Sequence, residues 1–567
     1  MERNRKILGV AVAIPVLLWL FIIVRYSVNV PWFDDFDPFP DFLRSWIGAG
    51  ALDERMKILF QPNNEHRMVM GKLITLLYYK LTGTLNITFI HIAGACFTLG
   101  SLALIWSAFR KSNLNGWYFL PVPFLLFQFQ YHLIFLWAIC SMQHQTVVFF
   151  VILSMFLLSR HKFIGALSAG ICATFAMSSG IFVWAAGAVI LTLRSNYRQL
   201  GIWLVVAIIA VGLYFTGMSA QGNESSFEFF AKNPHLSVLG FFAFLGGLFD
   251  LFPEQSIVWR STLPVIMGVL FMIWVAVWLY VTILPWLRRT FGMAVKNPGF
   301  VAISNRNNKG EQSLQDFLLG IMIFLLANAF VIGLLRPRFG FFVMIVSNYK
   351  LYPALFLVVA YLTMISTTRQ VWQNRVFRFV TIMGVLIWGI SIVTYLPGIA
   401  ERKKYLLSNA YNQEFNGFGL GHVPHSKSAM YVDQLMKEMT SKDIYHYPAE
   451  TKWLAGEINK LDQPVVEDYD VRYSIENGVI RVEEDQSEFA FSPQSGQYAF
   501  LRQGSKVYIF KLTQHRYLGR NVFKQYDHGS VVDIPFSSLP KGKYELGIVK
   551  TVDGVASGGI LKEVDIQ

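Results

Sequence analysis

Long apolar runs make up most of the first four hundred residues, with polar residues confined to short bursts between them. The runs fall at 7–29, 86–109, 117–138, 142–159, 163–179, 180–193, 200–217, 263–287, 315–335, 347–367 and 377–397. Most approach or exceed the roughly 18 residues that carry a helix through a bilayer, so the pattern predicts about eleven transmembrane helices. Segments 163–179 and 180–193 are short and meet at "SSG", which predicts a tight hairpin of short helices. The stretch "HLSVLGFFAFLGGLFDLF" (235–252) predicts an interfacial or re-entrant hairpin. A full crossing there would reverse the loop charges downstream.

The pattern changes after residue 398. Residues 398–465 are polar and predict a helical connector, with helices around 427–441 and 449–460. From about 466 the chain alternates, as in "YAFLRQGSKVYIFKL" (498–512) and "GKYELGIVKTVDG" (542–554). The turn signals "ENG", "PKGK" and "VDG" separate these runs, which predicts a small antiparallel β-domain. The expected organisation is a transmembrane part over 1–397 with a large first loop at 30–85, a connector over 398–465, and a mainly-β domain over 466–567.

Composition agrees with that class. The 567 residues are 54% hydrophobic and 15% charged, against about 25% charged in soluble domains. The formal net charge of +13 sits in short turns, and no basic helix or aromatic–basic module for nucleic acid is present. Threading from an inside start puts Arg110, Lys111, Arg160, Lys162, Arg194 and Arg198 on one side. Arg288, Arg289, Lys296, Arg306, Lys309, Arg369, Arg375 and Arg378 follow on that same side. This is the bias of cytoplasmic loops. The loop 30–85 and everything after 398 then lie outside. "MERNRK" precedes the first apolar run as in a signal peptide, but the run is long and no A-x-A-like cleavage site follows, so an uncleaved helix is expected. Cys96, Cys140 and Cys172 all lie in apolar segments and indicate neither a disulfide framework nor a zinc site.

The outer side carries the candidate chemistry. "PWFDDFDPFPDF" (31–42) places Asp34, Asp35 and Asp37 among aromatics just after the first run. Partial desolvation there would make a carboxylate a better base. In "QPNNEHRMVMGKLITLLYYKL" (61–81), Asn63 or Asn64 can cap a helix and put Glu65, His66 and Arg67 in its first turn. Further polar residues stand in or beside the apolar segments: His132, Gln143, Arg336, Arg338, Tyr349 and Lys350. Polar groups at membrane depth tend to line a cavity or path, and Arg336, Arg338 and Lys350 suit phosphate. No cofactor is called for. A divalent ion stays open, because carboxylates and a histidine converge in sequence without fixing a coordination geometry.

At these residues the chain resembles the polytopic, lipid-linked-sugar-dependent glycosyltransferases of the GT-C superfamily. An acidic motif just after helix one matches Asp34 and Asp35, and an N-E-H-R stretch matches Asn64, Glu65, His66 and Arg67. "FQYHLIFLWAICSMQHQ" is a counterpart of a Gln/Trp/Glu-rich membrane stretch, with His132 where an acid is usual. "SNYKLYP" departs from a Ser-Arg-Tyr motif. The layout is also similar to serotype-converting O-antigen glucosyltransferases.

The resemblance implies a membrane hexosyltransferase that moves a sugar from a polyprenyl-phosphate donor to an envelope glycan or glycolipid such as O-antigen. It would act on the outer face of a bacterial inner membrane, with the C-terminal domain periplasmic. Asp34 or Asp35 would be the base, with Glu65 the next candidate. His66 and Arg67 would orient acceptor or donor phosphate, and Arg336, Arg338 and Lys350 would neutralise the departing phosphate. A lipid-linked glycan polymerase or ligase, and a transporter or flippase, are the alternatives. The former usually shows its dominant loop in mid-chain, and the latter often shows internal repeats.

Overall fold

The computed structural model describes residues 2–63, 66–218, 223–291, 309–461, 470–519, 521 and 523–566. It is mostly helical, with the strands gathered at the C-terminal end. Among the described residues, eight helices are long and apolar enough to cross a membrane. The chain divides into two compact units. The first contains residues 1–23, 56–73 and 91–392; the second contains 24–55, 74–90 and 393–567. Lys296 and Arg306, expected in a cytoplasmic loop, lie outside the described residues.

In the first unit the expected short hairpin forms. Helices Phe163–Ala176 and Phe182–Leu193 meet through a 3₁₀ turn at Ser178–Ile181. Gly180 is needed there, because a Cβ would sit 1.9 Å from the Ala173 carbonyl oxygen. The 235–252 stretch is a helix at Pro234–Leu245 followed by a 3₁₀ turn. Twelve residues reach only about 18 Å as helix, well short of a hydrocarbon core of roughly 30 Å. It packs closely on helix Ile257–Phe291: Cβ atoms on Gly246 and Gly268 would meet carbonyl oxygens at 1.9 and 2.0 Å. Small residues permit this approach where apolar attraction between helices is weak.

Charged turn residues are also anchored. Arg194 bonds Asp316 at 2.6 and 2.8 Å and reaches the carbonyls of Leu158 and Ser159. It thereby satisfies the open end of helix Thr146–Ser159.

The second unit joins the first loop to the C-terminal part. Asn29 is the hub: its side chain accepts from the Ile87 N–H (2.7 Å) and donates to the His446 carbonyl (2.9 Å). The Tyr445 hydroxyl donates to its carbonyl at 2.6 Å. Arg44 pairs with Asp41 and donates to the Tyr431 hydroxyl at 3.0 Å. The connector helices occur at Lys427–Ser441 and Ala449–Ile458. Helix Gln370–Asn416 continues well past the last apolar run.

The β region is a sandwich of two antiparallel four-stranded sheets. Its strands are β1 (Val471–Glu476), β2 (Val479–Glu484), β3 (Gly496–Gln503), β4 (Lys506–Lys511), β5 (Thr513–Arg516), β6 (Tyr526–Pro535), β7 (Gly542–Val552) and β8 (Val555–Ile566). The orders are β1-β2-β6-β5 and β4-β3-β7-β8. The expected start near 466 lies outside the described residues. Ile480, Val482 and Ile534 of one sheet pack with Leu501, Tyr508, Leu546 and Ile548 of the other.

The opposite face of the second sheet is covered as well. Tyr498, Phe500, Ile509 and Val549 pack on Tyr411 of helix Gln370–Asn416 and on Leu454 and Ile458 of helix Ala449–Ile458. Strand β3 is therefore buried on both faces, which explains the continuous apolar run Tyr498–Leu501 at its centre. β4 is an edge, and Asn412 closes it: its amide donates to the Ile509 carbonyl (2.7 Å) and accepts from the Ile509 N–H (3.1 Å). Asn416 adds a bond to the Val507 carbonyl at 2.9 Å. Covered edges resist pairing with other chains.

Candidate functional site

The acidic stretch after the first helix is tightly wound. Phe33–Asp35 form a 3₁₀ turn, Asp37–Asp41 a π-type turn, and Phe42–Gly48 a helix. Phe33 takes φ 48°, a left-handed conformation that bulky side chains rarely adopt and that tends to occur at functional sites.

Asp34 and Asp35 are separated in role by this turn. Asp35 is buried, and its carboxylate accepts the Trp32 N–H at 3.0 Å. It acts as the acceptor that closes the turn on itself. Asp34 is exposed as a residue. Crowding around its carboxyl pushes it above the ordinary carboxylate range, and the nearby His422 imidazole partly offsets this. The result is an aspartate and a histidine in mutual electrostatic reach. Such a pair can take up a proton and stabilise the charge that follows.

His422 is brought there by backbone rather than by sequence proximity. The stretch 417–421 contains Gly417, Gly419 and Gly421, all with positive φ. A Cβ on Gly421 would meet the Phe33 ring at 2.7 Å. Leaving that space open lets the loop lie against the acidic turn, and the Phe33 N–H reaches the Leu420 carbonyl at 3.4 Å. The His422 ring stands 6.2 and 6.0 Å from the rings of Phe33 and Phe36. Arg402 lies over the Trp32 ring at 4.2 Å, adding a guanidinium to the same region. Nothing in the sequence linked His422 or Arg402 to the acidic turn. The only hint was a histidine set among glycines in a polar stretch.

The second predicted cluster corrects an expectation. Glu65 and Asn64 lie outside the described residues. The helix begins at Val69, so His66 and Arg67 are not in its first turn. Instead Asn63 and His66 close a two-way backbone bridge at 2.8 and 3.0 Å. Arg67 is buried and donates to the carbonyls of Phe60, Tyr214 and Thr216. Lys72 beside it reaches the carbonyls of Ile58 and Gln61 at 3.3 and 2.7 Å. The physical reason is electrostatic. A cation at a helix start opposes the dipole, whereas carbonyls at helix C-terminal ends attract it.

His66 keeps company that the sequence did suggest. Burial and the Arg336 guanidinium hold it down to about 4, so it is neutral at pH 7. Its Nδ1 is buried without a hydrogen-bond partner among the described residues. His144 is also within its electrostatic reach. The His144 Nδ1 lies 2.9 Å from the Tyr352 hydroxyl, and its ring makes an edge contact with Tyr349 at 6.0 Å. Gln143 is buried next in sequence. His66, Arg336, Tyr349 and the Gln143–His144 turn thus share one polar cluster in the first unit. A neutral His66 imidazole and a guanidinium suit an anionic oxygen.

The remaining predicted residues are spread out. Lys350 is buried and bonds Asp250 at 2.9 Å, while Arg260 holds the same carboxylate at 2.8 and 3.1 Å. A buried carboxylate between two cations is a fixed structural unit. Arg338 donates to the Ser225 hydroxyl and lies over the Phe339 ring at 4.4 Å. His132 opens a short helix, His132–Leu136. No group of three or more metal-ligating side chains occurs among the described residues.

No family model, curated protein or solved structure matches the chain.

Proposed function

We propose that the protein is a polytopic membrane glycosyltransferase that moves a sugar from a polyprenyl-phosphate carrier to an envelope glycan. The observation that carries this reading is the pairing of Asp34, on the loop that follows the first long apolar helix, with His422 from the glycine-containing stretch after helix Gln370–Asn416. An acceptor hydroxyl needs a base, and Asp34 is the carboxylate left available when Asp35 is used within its own turn. Asp34 takes the hydroxyl proton as the acceptor oxygen bonds the anomeric carbon. The bond from that carbon to the phosphate oxygen breaks, and the polyprenyl phosphate leaves with the electron pair. His422 is a positioning residue that tunes the charge on Asp34.

A lipid donor also fits the long apolar helices. Under this reading the acidic turn and the β-domain lie outside a bacterial inner membrane, as the turn charges favour. The reaction needs no redox or carrier cofactor. The test is mass analysis of envelope polysaccharide from cells with the chain, without it, and with Asp34→Asn. The reading expects one added hexose mass per repeat with the wild-type chain only. Identical glycans in all three strains would refute it.

A further inference from the structure

A cleft of about 280 Å³ lies within the second unit, and neither Asp34 nor His422 is part of its lining. Its lining comes from the exit of the first helix, the extended helix Gln370–Asn416, helix Ala449–Ile458 and the β-sandwich. The volume is near the lower end of ligand pockets, which run from about 300 Å³ upward. It suits a short saccharide unit rather than a long polymer.

The lining has two chemical parts. Trp453, Tyr411 and Tyr498 supply aromatic surface, and Trp453 remains 38% exposed. Flat rings with polar tips match ligands that have one apolar face and hydroxylated edges. Arg25, Lys403 and Glu450 supply charge. Two cations against one carboxylate leave a single net positive charge. Lys403 is held in place by donating to the carbonyls of Arg25 (3.1 Å) and Ser27 (3.4 Å). Its ammonium is therefore set in position before any ligand arrives, which lowers the ordering cost of binding. Arg25 is exposed at the end of the first helix, with its fork geometry open to a carboxylate or phosphate.

We infer that this cleft binds an acidic saccharide, with the sugar ring on Trp453 and its anionic group at Arg25 and Lys403. Resting on the glycosyltransferase reading, this makes the acceptor glycan acidic and gives it a holding site separate from the Asp34 turn. The cleft would fix where along the glycan the sugar is added, since a bound unit restrains its neighbours on the same chain. Two weak sites on one glycan also raise the effective concentration of the reacting hydroxyl.

The test is equilibrium binding to the full-length protein in detergent, using trigalacturonate, maltotriose and inorganic phosphate as probes. Trigalacturonate should bind at least about tenfold more tightly than maltotriose, a factor that each further 1.4 kcal/mol supplies. Trp453→Ala and Arg25→Gln should each weaken trigalacturonate about tenfold or more. Both residues are partly or fully exposed, so folding should survive, checked by unchanged Tm. Asp34→Asn should leave this binding intact, so a failed transferase reading and a failed cleft are told apart. Equal affinity for maltotriose overturns the acidic preference. Phosphate competing as strongly as trigalacturonate overturns the saccharide. Binding that ignores both variants, or no binding, overturns the cleft.

Discussion

At Asp34, the raised carboxyl works against stability at neutral pH and, under the proposed transferase reading, in favour of base catalysis. Its carboxyl is held above the ordinary range by crowding, so ionising it opposes the fold. The stabilising protonated form is fully present below the unfolded value of 3.8 and is lost as pH rises through the folded one. Asp34→Asn should therefore leave Tm at neutral pH unchanged or slightly higher, while transfer falls by about 10²–10⁴-fold as for other removed bases. Calorimetry and a transfer assay on matched samples check both halves. His422 pulls the Asp34 value down. His422→Gln should accordingly move the acid limb of the rate–pH profile to higher pH, an effect that a purely structural histidine would not produce.

His66 gives the opposite sign. It is neutral in the fold, at about 4 against an ordinary 6.5, so the unfolded chain binds the extra proton between those values. Stability should fall as pH drops from about 6.5 toward 4, and His66→Gln should flatten that slope in Tm measured against pH.

The elements stand on buried polar side chains that satisfy helix and strand ends. Arg67 serves three carbonyls, and Arg67→Met leaves them unpaired in a buried region. An unmet buried acceptor costs about 1–3 kcal/mol, so a Tm loss of many degrees is expected with a correspondingly lower yield of folded protein. Asn412 does the same for strand β4, and Asn412→Leu should cost roughly 2–4 kcal/mol by orphaning both polar groups of Ile509.

This scale also shows what could be read in advance. Helices Lys427–Ser441 and Ala449–Ile458, the short hairpin at "SSG" and the alternating strands all followed from period and turn chemistry. These signals are local. The start of helix Val69–Thr82 was misplaced because Arg67 obeys distant carbonyls, not its own helix. His422 and Arg402 were missed at the site for a similar reason. Three glycines fold a remote loop onto Phe33, and a contact hundreds of residues apart leaves no periodic trace. The Asp34–Asp35 pair was legible as a cluster, while the division of labour within it depended on a turn with positive φ at Phe33.

For the whole molecule, the claim is a lipid-linked reaction on the outer face. A reporter fused after Gln567 should be active only outside the cytoplasm, because Arg and Lys residues favour the opposite side through the helical part. A reporter active only inside would invert the account. The most direct measurement is hexose transfer by the purified protein in liposomes, from polyprenyl-phosphate hexose to an envelope glycan acceptor. Wild type and Asp34→Asn are compared at equal folded concentration. The account predicts transfer by the wild type with release of polyprenyl phosphate, and a rate at least about tenfold lower for the variant. Equal rates for the two proteins, or no transfer by the wild type from any such donor, would contradict it.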